Sequence, residues 1–155
     1  MIEHRHGCIF AQPDVDIIVH QANCFCQMGS GIAKEIARLY PEAVTADRRS
    51  KKGDKSKLGS YTVGVSDHGI IIINLYSQYH YGKTPNTCYT DYGAMKTGLL
   101  EIKDDYDTPI ANNVLAIPYK MGCGLAGGDW NIVHKIIHEV FDDTRNLKVV
   151  ICEKD

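Results

Sequence analysis

Ala116-Ile117-Pro118-Tyr119-Lys120-Met121-Gly122-Cys123-Gly124-Leu125-Ala126-Gly127-Gly128-Asp129-Trp130-Asn131-Ile132-Val133 decides how the rest of the chain is read. An apolar run ends at Pro118, a loop carrying four glycines follows, and helical spacing of apolar residues begins near Trp130. A strand, a glycine loop and a helix in that order make an anion site. Glycine lets the backbone approach a ligand and adopt φ > 0, and a helix start presents unpaired N–H groups at its positive end. In open α/β sheets that site lies beyond the carboxyl end of a strand. Asp129 suits the cap of the following helix. A tight turn that uses glycine only for packing is the competing reading, and one such loop does not decide between them.

A second stretch repeats the pattern. Val15 to Ala22 is apolar at most positions, as strands covered on both faces are. Asn23-Cys24-Phe25-Cys26-Gln27-Met28-Gly29-Ser30-Gly31 follows, and a helix is expected from about Ile32. Two such loops at the ends of parallel strands can face each other across one diphosphate.

Working outward, residues 2–10 read as a first strand interrupted at Gly7. Apolar spacing from Ile32 to Tyr40 predicts a helix, and Pro41 starts a second one running to about Ser50. Leu58 to Val65 and Gly69 to Tyr76 read as a hairpin through Asp67-His68-Gly69. Ser77 to Asn86 is a polar, aromatic segment of lid character. Thr87 or Thr90 is the expected cap of a helix reaching about Lys103. Val114 to Pro118 is a strand, Trp130 to Phe141 a helix, and Leu147 to Cys152 the last strand. The order describes a mixed sheet of about six strands with helices on both faces, an α/β fold in three layers.

At 155 residues the chain is most simply one domain, 1–155. A net charge of −2 supplies no overall attraction to nucleic acid, so an anionic ligand must be held by local geometry. The basic run from Arg48 to Lys57 has no aromatics interleaved in the sequence and reads as a solvated helix end and loop. No apolar stretch is long enough to span a bilayer, and no signal-peptide core precedes Gly7. The six scattered cysteines read as reduced thiols of a cytoplasmic protein.

His20-Gln21-Ala22-Asn23, Gln27-Met28-Gly29-Ser30-Gly31-Ile32-Ala33 and Met121 to Trp130 resemble the motifs of the macrodomain family, which binds ADP-ribose. The resemblance covers nearly the whole chain. It is closest to the subgroup of terminal ADP-ribose protein glycohydrolases and yeast-type ADP-ribose-1″-phosphate phosphatases. It implies that Gly29, Ser30, Gly31, Ile32 and Ala33 wrap the diphosphate and distal ribose. Gly122, Cys123, Gly124, Leu125, Ala126 and Gly127 would then cradle the phosphates from the other side. Ile9 and Phe10 would approach the adenine and Asn23 the distal ribose, with Ala22, Met28, Gln78 and Met121 completing the shell. Tyr76, Tyr79 and Trp130 are candidates to stack on a base, although core packing or lid structure accounts for them equally.

Two departures from the family pattern matter. Gly7-Cys8 stands where relatives often carry Gly-Asp, so the usual carboxylate contact to the adenine amino group is lacking. Gln78 and Ala126 stand where the glycohydrolases carry a lysine and an aspartate. A lysine–sugar adduct would need Lys83 or Lys120 instead.

The phosphatase branch implies a histidine–aspartate pair, here His20 and Asp129, acting on water and the leaving group. A structural strand-end histidine and a plain helix cap are the alternatives. Cys123 is a further candidate nucleophile if the loop N–H groups lower its pKa. His134 and His138 lie one helical turn apart, as a metal pair would, but read more simply as a solvated helix face. The expected function is hydrolysis of a small ADP-ribosyl ester, ADP-ribose 1″-phosphate first, by a monomer without cofactor or metal. De-ADP-ribosylation of protein or nucleic acid, and ADP-ribose binding without turnover, are the alternatives.

Overall fold

The computed structural model describes residues 2–154. Six strands form one sheet: β1 (Ile2–His6), β2 (Ile17–Asn23), β3 (Tyr61–Val65), β4 (Ile71–Gln78), β5 (Val114–Pro118) and β6 (Lys148–Glu153). Their order is β1-β6-β5-β2-β4-β3. All neighbours pair in parallel except β3, which runs antiparallel to β4 through the expected hairpin. The helices are α1 (Gly31–Leu39), α2 (Pro41–Arg49), α3 (Tyr92–Tyr106) and α4 (Trp130–Phe141). No helix among the described residues is long and apolar enough to cross a membrane.

The alternation of side chains along a strand sends consecutive residues to opposite faces. Ile17, Val19, Ile73, Leu75, Leu115 and Ile117 therefore pack with α3 and α4, through Met95, Leu99, Val133, Ile137 and Val140. Ile18, Ile72, Ala116 and Val150 pack on the other face with Ile36 of α1 and Ala43 of α2. The three expected layers are present. All seven residues of β2 are buried, as expected of a strand covered on both faces.

Several boundaries differ from expectation, each for a local reason. Residues 9–11 form a 3₁₀ turn and do not extend the first strand, because Gly7 at φ 135° redirects the chain. Asp91, not Thr87 or Thr90, caps α3, its carboxylate accepting from the Ala94 N–H at 2.9 Å. Residues 55–57 form a 3₁₀ turn, so β3 begins only at Tyr61.

Candidate functional site

Parallel strands put their carboxyl ends together, and the segments leaving β1, β2, β4, β5 and β6 enclose a cleft of about 1010 Å³ there. That volume suits a ligand of nucleotide size.

The first loop is shaped by its own polar groups. Asn23 accepts from the Phe25 N–H at 2.9 Å and donates to the Gln27 carbonyl at 2.8 Å. This turn delivers Met28, Ser30, Gly31, Ile32 and Ala33 to the cleft wall. Ser30 occupies the cap position of α1 but makes no side-chain cap bond. Consequently the N–H groups of Gly31, Ile32 and Ala33 find no acceptor among the described residues, and all three residues line the cleft.

The second loop is pinned from behind. The Gly122 carbonyl accepts from the Thr90 hydroxyl at 2.6 Å and from the Gly128 N–H at 2.8 Å. Gln21 connects the pin to the sheet, donating to Thr90 at 3.0 Å and Gln78 at 2.9 Å while accepting from Ser77 at 2.7 Å. Gly122 has φ 76°, and a Cβ there would lie 2.8 Å from the Gln21 amide oxygen. Held in this way, the consecutive N–H groups of Gly124, Leu125 and Ala126 find no acceptor among the described residues. All three residues line the cleft. Two arrays of unpaired N–H groups thus border one space, which is the arrangement that takes an anion.

Ile9 and Phe10 form the wall after β1, with Cys8 beside them, and Phe10 packs on Tyr40 at 6.3 Å between ring centroids. Ala22, Asn23, Gln78, Met121, Gly122 and Cys123 lie on the floor and far wall. Glu35 and Tyr81, which no motif marked, also line it, as do the motif residues Gln21 and Gln27 and the lysines Lys83 and Lys120. Lys83 and Lys120 are the two lysines considered in place of the absent family lysine, and both have reached the cleft.

Other expected residues fall outside it. His20 is fully buried, its Nε2 2.6 Å from the Asn74 amide oxygen and its Nδ1 without a partner. Burial pushes its pKa down to about 4. It sits one position before Gln21 on β2, so strand alternation turns it to the opposite face. Asp129 caps α4, accepting from the Asn131 N–H at 2.9 Å, and is not among the lining residues. The histidine–aspartate pair is therefore not assembled in the cleft.

Tyr76 is buried beneath the sheet, donating to Asp47 at 2.7 Å. Trp130 packs edge-on against Tyr119 with centroids 5.0 Å apart. Both are packing residues. Gly127 serves the turn, because a Cβ there would collide with the Thr87 carbonyl, and Gly29 sits outside the lining. Cys123 is in the cleft, but burial and the nearby Asp129 carboxylate push its thiol up to about 11, the reverse of what a nucleophile needs.

No model of a known protein family matches the sequence. An uncharacterized 17.5 kDa protein of phage T4, from the tk-vs intergenic region, is 32% identical over 138 residues, covering 86% of this chain and 82% of that protein. DNA ADP-ribosyl glycohydrolase of Mycobacterium tuberculosis is 29% identical over 154 residues, 97% of this chain. The solved macrodomain of M. tuberculosis DarG superposes with a TM-score of 0.77 at 24% identity, covering 98% of this chain and 97% of that one. The chain has the macrodomain fold. This macrodomain spans 42% of the length of the mycobacterial glycohydrolase.

Proposed function

We propose that this macrodomain binds ADP-ribose through its diphosphate and hydrolyses an ADP-ribosyl bond at the distal ribose. One observation carries the reading: the unpaired N–H groups of Gly31 to Ala33 and of Gly124 to Ala126 border the same cleft. Preorganised N–H donors stabilise phosphate charge without any reorganisation at the moment of binding. Removal of ADP-ribose from nucleic acid is the substrate reading best supported, for two reasons. The mycobacterial relative carries that activity on DNA in its name, and a cluster of aromatic and basic side chains adjoining the lining residue Tyr81 suits a strand.

Next to the lining residue Tyr81, Phe25 packs against His80 at 4.5 Å and Tyr79 at 4.9 Å, with the Tyr81 ring 6.3 Å away. The basic segment 48–57 folds against these rings. The Gly53 N–H donates to the Cys24 carbonyl at 2.6 Å, Tyr79 donates to the Gly53 carbonyl at 2.8 Å, and Lys55 lies 5.0 Å from the Tyr79 ring centre. Aromatics that are absent from the basic run in sequence thus come to it in space. Rings that stack on bases beside cations that meet phosphates are what single strands require.

ADP-ribose 1″-phosphate is the second reading. Lys83 and Lys120 in the cleft favour it, since either can neutralise the departing phosphate.

Calorimetric titration with ADP-ribose, followed by release assays, tests the proposal. ADP-ribose should bind, and an ADP-ribosylated single-stranded oligonucleotide should lose its ADP-ribose faster than ADP-ribose 1″-phosphate loses phosphate. Binding without either release would leave a non-catalytic reader. Absence of binding would overturn the assignment of the cleft.

A further inference from the structure

We propose that His4, His134 and His138 form a divalent transition-metal site that staples the N-terminal strand to α4. The site lies apart from the cleft, and none of its residues lines that space.

His134 and His138 are separated by one helical turn and therefore share a face of α4. Val133, Ile136, Ile137 and Val140 bury the neighbouring face against the sheet, which leaves the two histidines at the flank of the helix. There they meet β1. Its Ile2 packs into the α3–α4 core, and strand alternation places His4 on that same side.

The result is three Nε2 atoms at one point. His134 Nε2 lies 3.0 Å from His4 Nε2 and 3.2 Å from His138 Nε2, and all three ligand atoms fall within 4.8 Å of one another. Three nitrogens bound tetrahedrally to zinc at 2.0–2.1 Å would stand about 3.3 Å apart. The two short separations already match.

Hydrogen bonding alone does not account for the cluster. A neutral imidazole carries one N–H and one lone pair. His138 Nδ1 faces Asp142 Oδ1 at 2.9 Å, which places its proton on Nδ1 and leaves the Nε2 lone pair directed at His134. His134 Nε2 is either a donor or an acceptor: if it donates to His138 it offers His4 no lone pair, and if it accepts from His4 it meets His138 lone pair to lone pair, so neutral rings satisfy only one of the two short contacts. A cation accepts all three lone pairs together.

Asp142 supplies the outer carboxylate that orients a metal-bound histidine and raises its basicity. Imidazole donors suit zinc, copper and nickel, and zinc is the first probe. With three protein ligands the fourth position falls to water or a small anion. The physical consequence is a cross-link between residues 130 positions apart, at the sheet edge where β1 pairs only with β6. It also anchors α4, whose Trp130 packs against both His134 and the cleft residue Tyr119.

Titration of EDTA-stripped full-length protein with zinc chloride, with thermal melting at each step, tests the site. One zinc per chain should bind, and the melting temperature should rise by about 5 °C or more at saturation. Cobalt(II) should give visible bands without a thiolate charge-transfer band, which separates this site from the six cysteines. His134→Gln and His4→Gln should each weaken zinc binding at least about tenfold, while His68→Gln on the β3–β4 turn should not. No stoichiometric zinc, a thiolate band, or undiminished binding in His134→Gln and His4→Gln would overturn the proposal.

Discussion

The Thr90 hydroxyl donates to the Gly122 carbonyl at 2.6 Å, and through this bond the segment entering α3 fixes the second glycine loop. The bond gives a direct test of whether loop geometry carries affinity. Thr90→Val keeps the shape but leaves Gln21 without one acceptor and Gly122 with only the Gly128 N–H. Loss of such a buried bond costs about 1–2 kcal/mol. Gly122→Ala is harsher, because a Cβ meets Gln21 at 2.8 Å and Thr90 at 3.0 Å on a backbone with φ 76°. Calorimetry should find ADP-ribose affinity reduced about threefold or more in Thr90→Val and at least about tenfold in Gly122→Ala. Wild-type affinity in both variants would mean that the N–H array is not the binding element.

Tyr76 tests the opposite case, an expected ligand residue that the structure makes a core residue. Its hydroxyl donates to Asp47, whose carboxylate is only 2 % exposed, and Lys57 sits 4.4 Å from its ring centre. Tyr76→Phe should lower unfolding free energy by about 1–3 kcal/mol, because it leaves a buried carboxylate short of a donor. ADP-ribose affinity should stay within about twofold. A large affinity loss at unchanged urea midpoint would return Tyr76 to the site.

The two glycine loops were legible because their pattern is local: a strand, glycines and a helix start within a few residues. Which face of β2 meets the ligand was not. With all seven residues buried on both sides, polarity carries no period-2 signal, and His20 and Gln21 look alike in sequence. Only the register with β4, which pairs His20 with Asn74 and Gln21 with Leu75, separates them. Tertiary meetings were equally hidden. His4 joins His134 across 130 positions, and Phe25 joins His80 beside the basic segment, neither marked by any spacing in the chain. The Thr90 cap failed for a different reason: Asp91, one residue later, is a stronger acceptor for the helix N–H groups, and Thr90 is spent on Gly122.

The burial of His20 has a pH signature. Its folded pKa of about 4 lies below the 6.5 of a free imidazole, so the unfolded chain takes up the proton first. Stability from this group is fully present above pH 6.5 and is lost as pH falls towards 4. Between about pH 7.5 and pH 5 it removes about 2 kcal/mol. His134, also shifted down, adds in the same sense, while Asp47, shifted up by burial, opposes it near its lower end. Glu3, held down to about 2 by Arg5 and Lys148, contributes only in stronger acid. Urea midpoints should therefore fall across this range in the wild type and fall much less in His20→Gln. The same variant should bind ADP-ribose within about twofold. A flat wild-type profile would contradict the neutral buried state.

Lys83 tests the proposed chemistry. Gln78, which stands where the resemblance would put a lysine, has its amide committed to Gln21 and the His80 carbonyl, so an amine nucleophile, if the reaction uses one, comes from elsewhere. Lys83 lines the cleft on the β4–α3 segment beside Tyr81 and Gly82, the segment that also carries Tyr79 and His80 of the aromatic cluster. If its neutral amine attacks C1″ of the distal ribose, the bond to the modified group breaks and that group leaves with a proton; the resulting N-glycosyl lysine opens its ribose ring to an imine, which water hydrolyses and borohydride can trap. Lys83→Met should lower turnover of ADP-ribosylated oligonucleotide by about 100-fold or more, with ADP-ribose affinity reduced no more than about fivefold. Borohydride added during turnover should leave a mass increase on Lys83 in the wild type alone. Lys120 shares the cleft, so Lys120→Met is the internal comparison: if it abolishes turnover while Lys83→Met does not, the nucleophile sits on the second glycine loop. If both variants turn over at the wild-type rate, the reaction proceeds by direct attack of water, and the lysine adduct is excluded.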